Sequence, residues 1–247
     1  MSLKNYFISI VCITFQALCS LGIAQERLLV VTDQWAPYVY RENDTIKGVD
    51  YEIMMAVMST MGYEIDFQLL PWKRCIRMIE EKSADAILDI SMTEQRKKAM
   101  YFPQEKISDS ASVLFYLKGK EYRYEVLEDL SGLTIGTVLG YAYSKEFLEA
   151  DFFTREPVKT EEQNLKKLLY GRIELFLSNK NVGLYAIHKM KIEDKVDFLP
   201  KVVSSGENYL AFSQKNGHAA LSEIFSEHLE RFKTTPEYTA ILNKYNL

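Results

Sequence analysis

The sequence predicts an α/β fold made of two successive sets of strands and helices. Short runs of β-branched and aliphatic residues are typical of buried strands, and each is followed by a longer stretch with helical spacing of its apolar residues. The chain is 47% hydrophobic and 26% charged, as expected for a globular protein with a substantial core. Strands that alternate with helices favour layers around a mainly parallel sheet.

The first set occupies the N-terminal half. Ile53, Met54, Val57 and Met58 share one face of a predicted helix, which Gly62 ends. The predicted strands are Arg27–Thr32, Glu64–Leu70 and Asp85–Ser91; the helices are Tyr51–Met61 and Trp72–Lys82, with a helical turn at Thr93–Arg96 and an extended stretch over Ser110–Leu117.

The second set repeats this alternation. Gly140 forms a tight turn after its first strand, and Gly171 ends one of its helices. The predicted strands are Leu133–Val138, Ile173–Ser178, Val196–Leu199 and Tyr209–Ser213; the helices are Tyr143–Ala150, Glu161–Tyr170, Asn181–Met190, Ala219–Lys233 and Thr235–Tyr245.

The N-terminus has the pattern of a secretory signal peptide. Lys4 precedes an apolar run over Tyr6–Leu18, and small residues end at Ala24. The run is shorter than the about 20 residues that a bilayer span needs, which disfavours a retained anchor. Lipidation at Cys12 or Cys19 is disfavoured, because Ile10–Val11 and Ala17–Leu18 poorly match the small residues that precede a lipoprotein cysteine. We expect cleavage after Ala24 and a periplasmic product.

Charge and cysteine content exclude several classes of protein. A net charge of −4 without a basic stripe disfavours nucleic-acid binding. The mature chain keeps only Cys75, so it has no internal disulfide; we expect a buried core residue rather than a reactive thiol.

Sequence motifs of hydrolases, phosphate-binding loops and metalloproteases are absent, and no cofactor or metal site is predicted; the histidines are expected to be structural or surface residues.

An ordered series of short motifs resembles the family 3 extracellular solute-binding proteins, the amino-acid-binding components of ABC importers. The motifs span the whole mature chain: Trp35–Tyr38, Gly48–Glu52, Leu70–Trp72, Ala84–Ala86, Thr93–Arg96, Tyr101–Pro103, Asp129–Gly132, Ile135–Gly136, Gly140–Tyr141 and Gly171–Glu174. Each is weak alone, but their shared order is fairly specific.

The resemblance implies a type II periplasmic-binding-protein fold, with two α/β lobes joined by two hinge strands. We expect these crossings near Ser112–Leu117 and Ser204–Leu210. The expected organisation is a signal peptide over 1–24, a first lobe over 25–113 and 207–247, and a second lobe over 114–206. The resemblance further implies a monomer that binds a small molecule and is recognised by a membrane permease or receptor.

Arg96 is the strongest candidate ligand residue. A guanidinium at the start of a helix can hold a carboxylate with two charge-assisted hydrogen bonds, and Ser91 and Thr93 offer hydroxyls beside it. The resemblance assigns this position to the ligand's α-carboxylate. The alternative is a local cap or salt bridge. In the second lobe, the turn formed by Gly140, Tyr141 and Tyr143 is expected to complete the carboxylate site, or is a plain turn.

Aromatic residues on loops are candidates for the walls of the pocket. Trp35, Tyr38 and Trp72 follow strands or begin a helix, where ligand crevices form in α/β sheets. Each could instead cover an edge of the core. Asp33 ends the first strand, where it could hold a ligand cation or cap a turn.

The sequence departs from the family pattern at one position. Amino-acid-binding members carry an aspartate that pairs with the ligand's ammonium, and here Asn179, or Ser178, stands at that place. Either Asp33, Glu52 or Glu207 takes this role, or the ligand is not a standard α-amino acid. Alternatives to uptake are ligand sensing for a membrane receptor and a dehydratase-like enzyme, for which Glu52 and Glu207 are the candidate acids or bases.

Overall fold

A computed structural model describes residues 26–245 of the chain, so the predicted signal peptide lies outside the described residues. The strands are β1 (Arg27–Thr32), β2 (Tyr40–Glu42), β3 (Thr45–Lys47), β4 (Glu64–Leu69), β5 (Ala86–Ser91), β6 (Met100–Tyr101), β7 (Ser108–Leu117), β8 (Thr134–Val138), β9 (Thr154–Val158), β10 (Leu175–Asn179), β11 (Val196–Phe198) and β12 (Ser204–Ser213). The helices are α1 (Val49–Thr60), α2 (Trp72–Glu80), α3 (Glu94–Lys97), α4 (Lys145–Glu149), α5 (Glu161–Leu169), α6 (Lys180–Met190), α7 (His218–Phe232) and α8 (Pro236–Lys244), with a 3₁₀ turn at Leu127–Leu130. Within residues 26–245, no helix combines the length and apolar character needed to cross a membrane.

The fold has two lobes that share one mixed sheet in the order β4-β1-β5-β12-β7-β10-β8-β9. We call the half with β1, β4 and β5 the first lobe and the half with β8, β9 and β10 the second lobe. Strands within each of these groups pair in parallel. The expectation of a mainly parallel sheet is wrong, because β7 and β12 pair antiparallel with each other and with their other neighbours in the order.

The two long strands β7 and β12 connect the lobes. β12 pairs with β7 over Ser204–Asn208 and then with β5. β7 pairs with β12 over Ser108–Ser112 and then with β10 over Ser112–Phe115. Each strand therefore exchanges one partner for another along its length, as expected of strands that join two lobes. The extended stretch begins at Ser108, two residues before the predicted start.

The buried apolar side chains form separate clusters in the two lobes. In the first lobe, α1, α7 and α8 pack around Ile53, Met54 and Phe225 on one side of the sheet. Ile79 and Cys75 of α2 pack on the other side. The second lobe has clusters around Phe176 and Phe147. The crossing strands form the covalent connection between the lobes, and Val182 of α6 packs against the cluster of the first lobe.

Some short elements differ from the sequence prediction. β2, β3, β6 and β9 were not predicted. Asn43 and Asp44 both have positive φ, which is the geometry of a tight hairpin turn between β2 and β3. The helix predicted from Tyr143 begins at Lys145 instead, because the hydroxyl of Ser144 accepts a hydrogen bond from Phe147 N and caps it there.

Gly48 fixes the start of α1 next to the loop that follows β1. Its φ is 134°, and a Cβ at this position would lie 2.1 Å from the carbonyl oxygen of Tyr38. Only glycine fits this close approach without a backbone shift. The contact holds the loop from Trp35 to Tyr38 against the N-terminal end of α1.

Cys75 is a buried core residue, as predicted. Its side chain is inaccessible to solvent, and its thiol donates a 3.4 Å hydrogen bond to the carbonyl of Leu70. Burial raises the pKa of the thiol to about 12, so it stays protonated and unreactive near neutral pH.

Candidate functional site

A cavity of about 760 Å³, including its open mouth, lies between the two lobes. The C-terminal ends of parallel strands from both lobes meet here at the crossing strands β7 and β12, and the carboxyl ends of strands are the usual place of a ligand crevice in α/β folds. The lining residues are Thr32, Asp33, Gln34, Trp35, Trp72, Asp89, Ser91, Arg96, Ser110, Ser112, Gly140, Tyr141, Ala142, Tyr143, Ser178, Asn179 and Asn208.

The structure brings most of the predicted site residues together around this cavity. The predicted residues that line it are Asp33, Trp35, Trp72, Ser91, Arg96, Gly140, Tyr141, Tyr143 and Asn179. Tyr38 and Thr93 do not line it. Tyr38 stacks behind Trp35 with ring centroids 4.5 Å apart. The hydroxyl of Thr93 accepts a hydrogen bond from Arg96 N and caps α3.

Arg96 presents a positively charged group to the cavity. Its Nη1 donates a 2.8 Å hydrogen bond to the carbonyl of Ser91, and its guanidinium lies 5.7 Å from the ring centre of Trp72. Burial lowers the pKa of Arg96, although a guanidinium remains charged at physiological pH. Among residues 26–245, no carboxylate forms an ion pair with it. The remaining donors of Arg96 are therefore free for an anionic ligand.

Aromatic rings form the apolar part of the cavity wall. Trp35 of the first lobe contacts Tyr141 of the second lobe edge to face, with centroids 6.5 Å apart. The indole Nε1 of Trp35 is buried and has no partner in the described part of the chain. Rings in this arrangement can enclose the apolar part of a small ligand, while their polar atoms serve as donors.

The second lobe contributes a turn between β8 and α4. Gly140 has φ of 87°, and the hydroxyl of Tyr143 accepts a 2.7 Å hydrogen bond from Val138 N. Tyr141 Oη donates a 2.8 Å hydrogen bond to Glu161 Oε1. Burial raises the pKa values of Tyr141 and Glu161. The turn leads through Ser144, the cap of α4, into that helix, and its residues Gly140, Tyr141 and Tyr143 line the cavity.

Asn179 uses its side-chain oxygen within the protein. Oδ1 accepts hydrogen bonds from Asn181 N at 2.9 Å and Val182 N at 3.2 Å and so caps α6. Its Nδ2 is buried without a hydrogen-bond partner in the described residues. The free group of Asn179 is therefore a donor, which cannot accept a hydrogen bond from an ammonium.

The carboxylates proposed to replace the missing aspartate occupy different places. Asp33 lines the cavity and also accepts hydrogen bonds from Gln34 N at 2.7 Å and Trp72 N at 3.1 Å. Glu52 lies elsewhere, bound to Lys244 Nζ at 2.7 Å. Glu207 binds Lys106 Nζ at 3.1 Å and borders a neighbouring cavity. Asp33 is thus the one of these three that lines the cavity between the lobes.

Asp89, which was not predicted as a site residue, also lines this cavity. It lies in β5 close to Asp50 of α1, and the two buried carboxyl groups interact electrostatically. Burial raises the pKa values of both, and the neighbouring carboxyl group raises that of Asp89 further. An aspartate inside the apolar run Ala86–Ile90 was a usable signal, because a buried strand rarely carries a charge without a role. The polar residues Ser110, Ser112, Ser178 and Asn208 were also missed.

The histidines lie apart from the cavity. His188 is exposed and binds Glu193, His228 contacts Thr60, and His218 is buried against Ser213. Among residues 26–245, no group of His, Cys, Asp and Glu side chains has the arrangement of a metal site.

The chain belongs to the bacterial extracellular solute-binding proteins, family 3, which it matches over residues 28–247. The probable amino-acid-binding protein YxeM of Bacillus subtilis is 23% identical over 87% of this chain and 81% of its own length. The arginine-binding extracellular protein ArtP of Bacillus subtilis is 30% identical over 62% of this chain and 61% of its own length. In fold, the chain is similar to a mutant of the arginine-binding protein ArgBP of T. maritima, with a TM-score of 0.77, 21% identity and coverage of 90% of this chain and 96% of that one.

Proposed function

We propose that this protein captures an amino acid between its two lobes and delivers it to a membrane importer of the ABC type. The observation that carries this proposal is the unpaired guanidinium of Arg96, which faces a cavity enclosed by both lobes. A cation without a protein counter-ion suits a ligand carboxylate. The aromatic wall suits the aliphatic part of such a ligand.

The charges around the cavity favour an amino acid with a cationic side chain. Asp33 and Asp89 line the cavity together with one guanidinium, that of Arg96. A ligand with one carboxylate and two cationic groups would balance this set. Relatives named as arginine-binding support L-arginine as the first ligand to test.

Capture requires the lobes to close around the ligand. We take residues 25–113 and 207–247 as the first lobe and residues 114–206 as the second, with β7 and β12 as the hinge. The lobes contact each other through Trp35 and Tyr141, and through Tyr38 and Asn181. These contacts are consistent with a closed arrangement, which buries the ligand and presents one surface to a permease.

Export to the periplasm is part of the same proposal. The pattern at residues 1–24 supports a cleaved signal peptide, and family membership supports an extracytoplasmic, monomeric carrier. We infer a binding protein rather than an enzyme, because Glu52 and Glu207, the candidate acids or bases, both lie outside the cavity and are bound to lysines.

Thermal unfolding with a ligand panel tests the proposal. The exported protein is unfolded and refolded to remove bound ligand, then heated with arginine, histidine, cystine, glutamine, polyamines, keto acids or dicarboxylates. A ligand at about 100 times its Kd adds about 2.7 kcal/mol of stability, a shift of about 5–10 °C for a chain of this size. We expect the largest shift with L-arginine.

Two variants separate specific binding from a general effect on the fold. Arg96→Met should abolish the shift, and Arg77→Met, which alters an exposed residue of α2, should keep it. Uptake of the same amino acid by cells that carry Arg96→Met should fail. Equal shifts for Arg96→Met and wild type, or no shift with any amino acid, would contradict the proposal.

A further inference from the structure

We propose that Asp89 is the residue that pairs with the ligand's α-ammonium, in place of the aspartate that is absent at Asn179. This inference rests on the proposed function and specifies how the same cavity recognises an amino acid. Neither the family match nor the named relatives assign a role to Asp89.

The backbone of β5 is irregular at Asp89. The residue has φ of 59°, a left-handed conformation that is rare for non-glycine residues in a strand. Pairing between β5 and β12 shifts register here, between Tyr209 and Ala211. The hydroxyl of Thr32 donates a 2.9 Å hydrogen bond to the carbonyl of Leu88 beside the irregularity. Bulges of this kind redirect side chains and recur next to functional sites.

The carboxyl group of Asp89 is buried and poorly satisfied. Both of its oxygens, and Oδ1 of Asp50, are shielded from solvent and have no hydrogen-bond donor in the described part of the chain. Ser108 donates a 2.5 Å hydrogen bond to Oδ2 of Asp50. Two adjacent carboxyl groups share one proton because both cannot be charged at low cost. A ligand ammonium would supply the missing donors and positive charge.

Asp33 lines the same cavity, but its carboxylate already accepts hydrogen bonds from Gln34 N and Trp72 N. Asn179, which lines the same cavity, already accepts two hydrogen bonds. Polar and charged groups from several elements interact with Asp89 and Asp50 or share a cavity with Asp89. They are Tyr38 after β1, Arg96 of α3, Ser108 of β7, Asn208 of β12, Lys233 of α7 and Tyr238 of α8. Lys233 binds Glu105 and lines a separate cavity together with Asp50.

Binding of the ammonium should displace the shared proton. The ammonium takes the place of that proton between the carboxyl oxygens, and the proton leaves to solvent. Proton and ammonium then compete for one site, so affinity should fall as the pH drops below the raised pKa of the pair. Burial and mutual repulsion cause this rise.

Calorimetric titration with three related probes tests the assignment. L-arginine carries the α-ammonium and the α-carboxylate, 5-guanidinopentanoate lacks the α-ammonium, and agmatine lacks the α-carboxylate. We expect Asp89→Asn to weaken binding of L-arginine by about 30-fold or more, and to leave 5-guanidinopentanoate within about threefold of wild type. The same variant should lose the pH dependence of L-arginine binding.

A matched variant controls for removal of an aspartate in general. Asp66→Asn alters a residue of β4 that does not line the cavity, and it should bind all three probes as wild type does. Unliganded Asp89→Asn should melt at or above the wild-type temperature, because it removes a costly buried carboxyl pair, so lost binding would not reflect lost folding.

The outcomes separate this inference from the proposed function. Suppose that wild type binds L-arginine. If Asp89→Asn then weakens binding of L-arginine and 5-guanidinopentanoate equally, or weakens binding of neither probe, the role proposed for Asp89 is wrong and the proposed function stands. If L-arginine and the other amino acids all fail to bind wild type, the proposed function is wrong and the role of Asp89 falls with it.

Discussion

The hydroxyl of Tyr38 accepts a 3.1 Å hydrogen bond from Asn181 Nδ2, across the boundary between the lobes. Tyr38 lies on the loop after β1, and Asn181 lies at the start of α6. Because burial raises the pKa of Tyr38 to about 12, the hydroxyl stays neutral over the usual range of pH. The bond connects the loop after β1 in the first lobe to α6 in the second lobe.

Loss of this hydroxyl should destabilise the closed form. Tyr38→Phe removes the hydrogen bond from Asn181 and a longer one, 3.5 Å, to the carbonyl of Asp109. The loss leaves Asn181 unpaired, which costs about 1 kcal/mol and weakens ligand affinity about fivefold. Tyr40→Phe is the matched control, since Tyr40 contacts Tyr185 only through its ring. Calorimetry with L-arginine measures both. Unchanged affinity in Tyr38→Phe would show that the bond does not contribute to closure.

Restoring the family's aspartate should compensate for the loss of Asp89. In an Asp89→Asn background, Asn179→Asp can still cap α6, because a carboxylate accepts from Asn181 N and Val182 N as an amide does. It also places a negative charge in the cavity. We expect at least a tenfold recovery of L-arginine affinity and no recovery for 5-guanidinopentanoate. Equal recovery for both probes would contradict an ammonium site.

Gly48 should tolerate no side chain. Gly48→Ala places a Cβ 2.1 Å from the carbonyl oxygen of Tyr38 at a φ of 134°. Strain and displacement of the loop should cost about 2–4 kcal/mol. Thermal unfolding measures the effect. Gly132→Ala is the control, because it has positive φ but no atom within 4 Å of the added Cβ, so it should lose less stability.

Stability should depend on pH through Asp50. Its pKa in the folded protein is about 6, against an ordinary value of 3.8, because burial disfavours the charged form. The folded state therefore binds this proton more tightly than the unfolded state. The stabilisation from the proton is complete below about pH 4 and is lost as the pH rises through 6.

Asp50→Asn should reduce this dependence, and Asp89 should account for the remainder, because burial also raises its pKa. The stability of the variant relative to wild type should rise by about 2 kcal/mol between pH 4 and pH 7. Chemical denaturation at a series of pH values measures the difference. A difference that stays constant with pH would show that Asp50 does not hold the proton.

Much of the fold followed from local sequence patterns. The apolar spacing of α1 and the aliphatic run of β1 depend on neighbours in sequence, and both elements formed as expected. The pairing of β12 with β7 could not be predicted in this way, since it joins residues almost one hundred positions apart. The antiparallel centre of the sheet follows from that distant pairing.

Residues of the candidate site were likewise predicted where the signal is local in sequence and missed where it depends on distant contacts. Arg96, Trp35 and the turn at Gly140 were predicted because each carries a recognisable local motif. Asp89 was missed because its significance arises from a carboxyl group on another element, Asp50, and from the irregular backbone of β5. Likewise, the capping bonds that occupy Asn179 become visible only once α6 is folded.

A crystal structure of the protein with the amino acid that gives the largest thermal shift tests the central claim most directly. The account predicts ligand density in the cavity between the lobes, with the carboxylate within hydrogen-bond distance of Arg96 and the ammonium next to Asp89. Density for the ligand elsewhere, or a carboxylate directed away from Arg96, would contradict it.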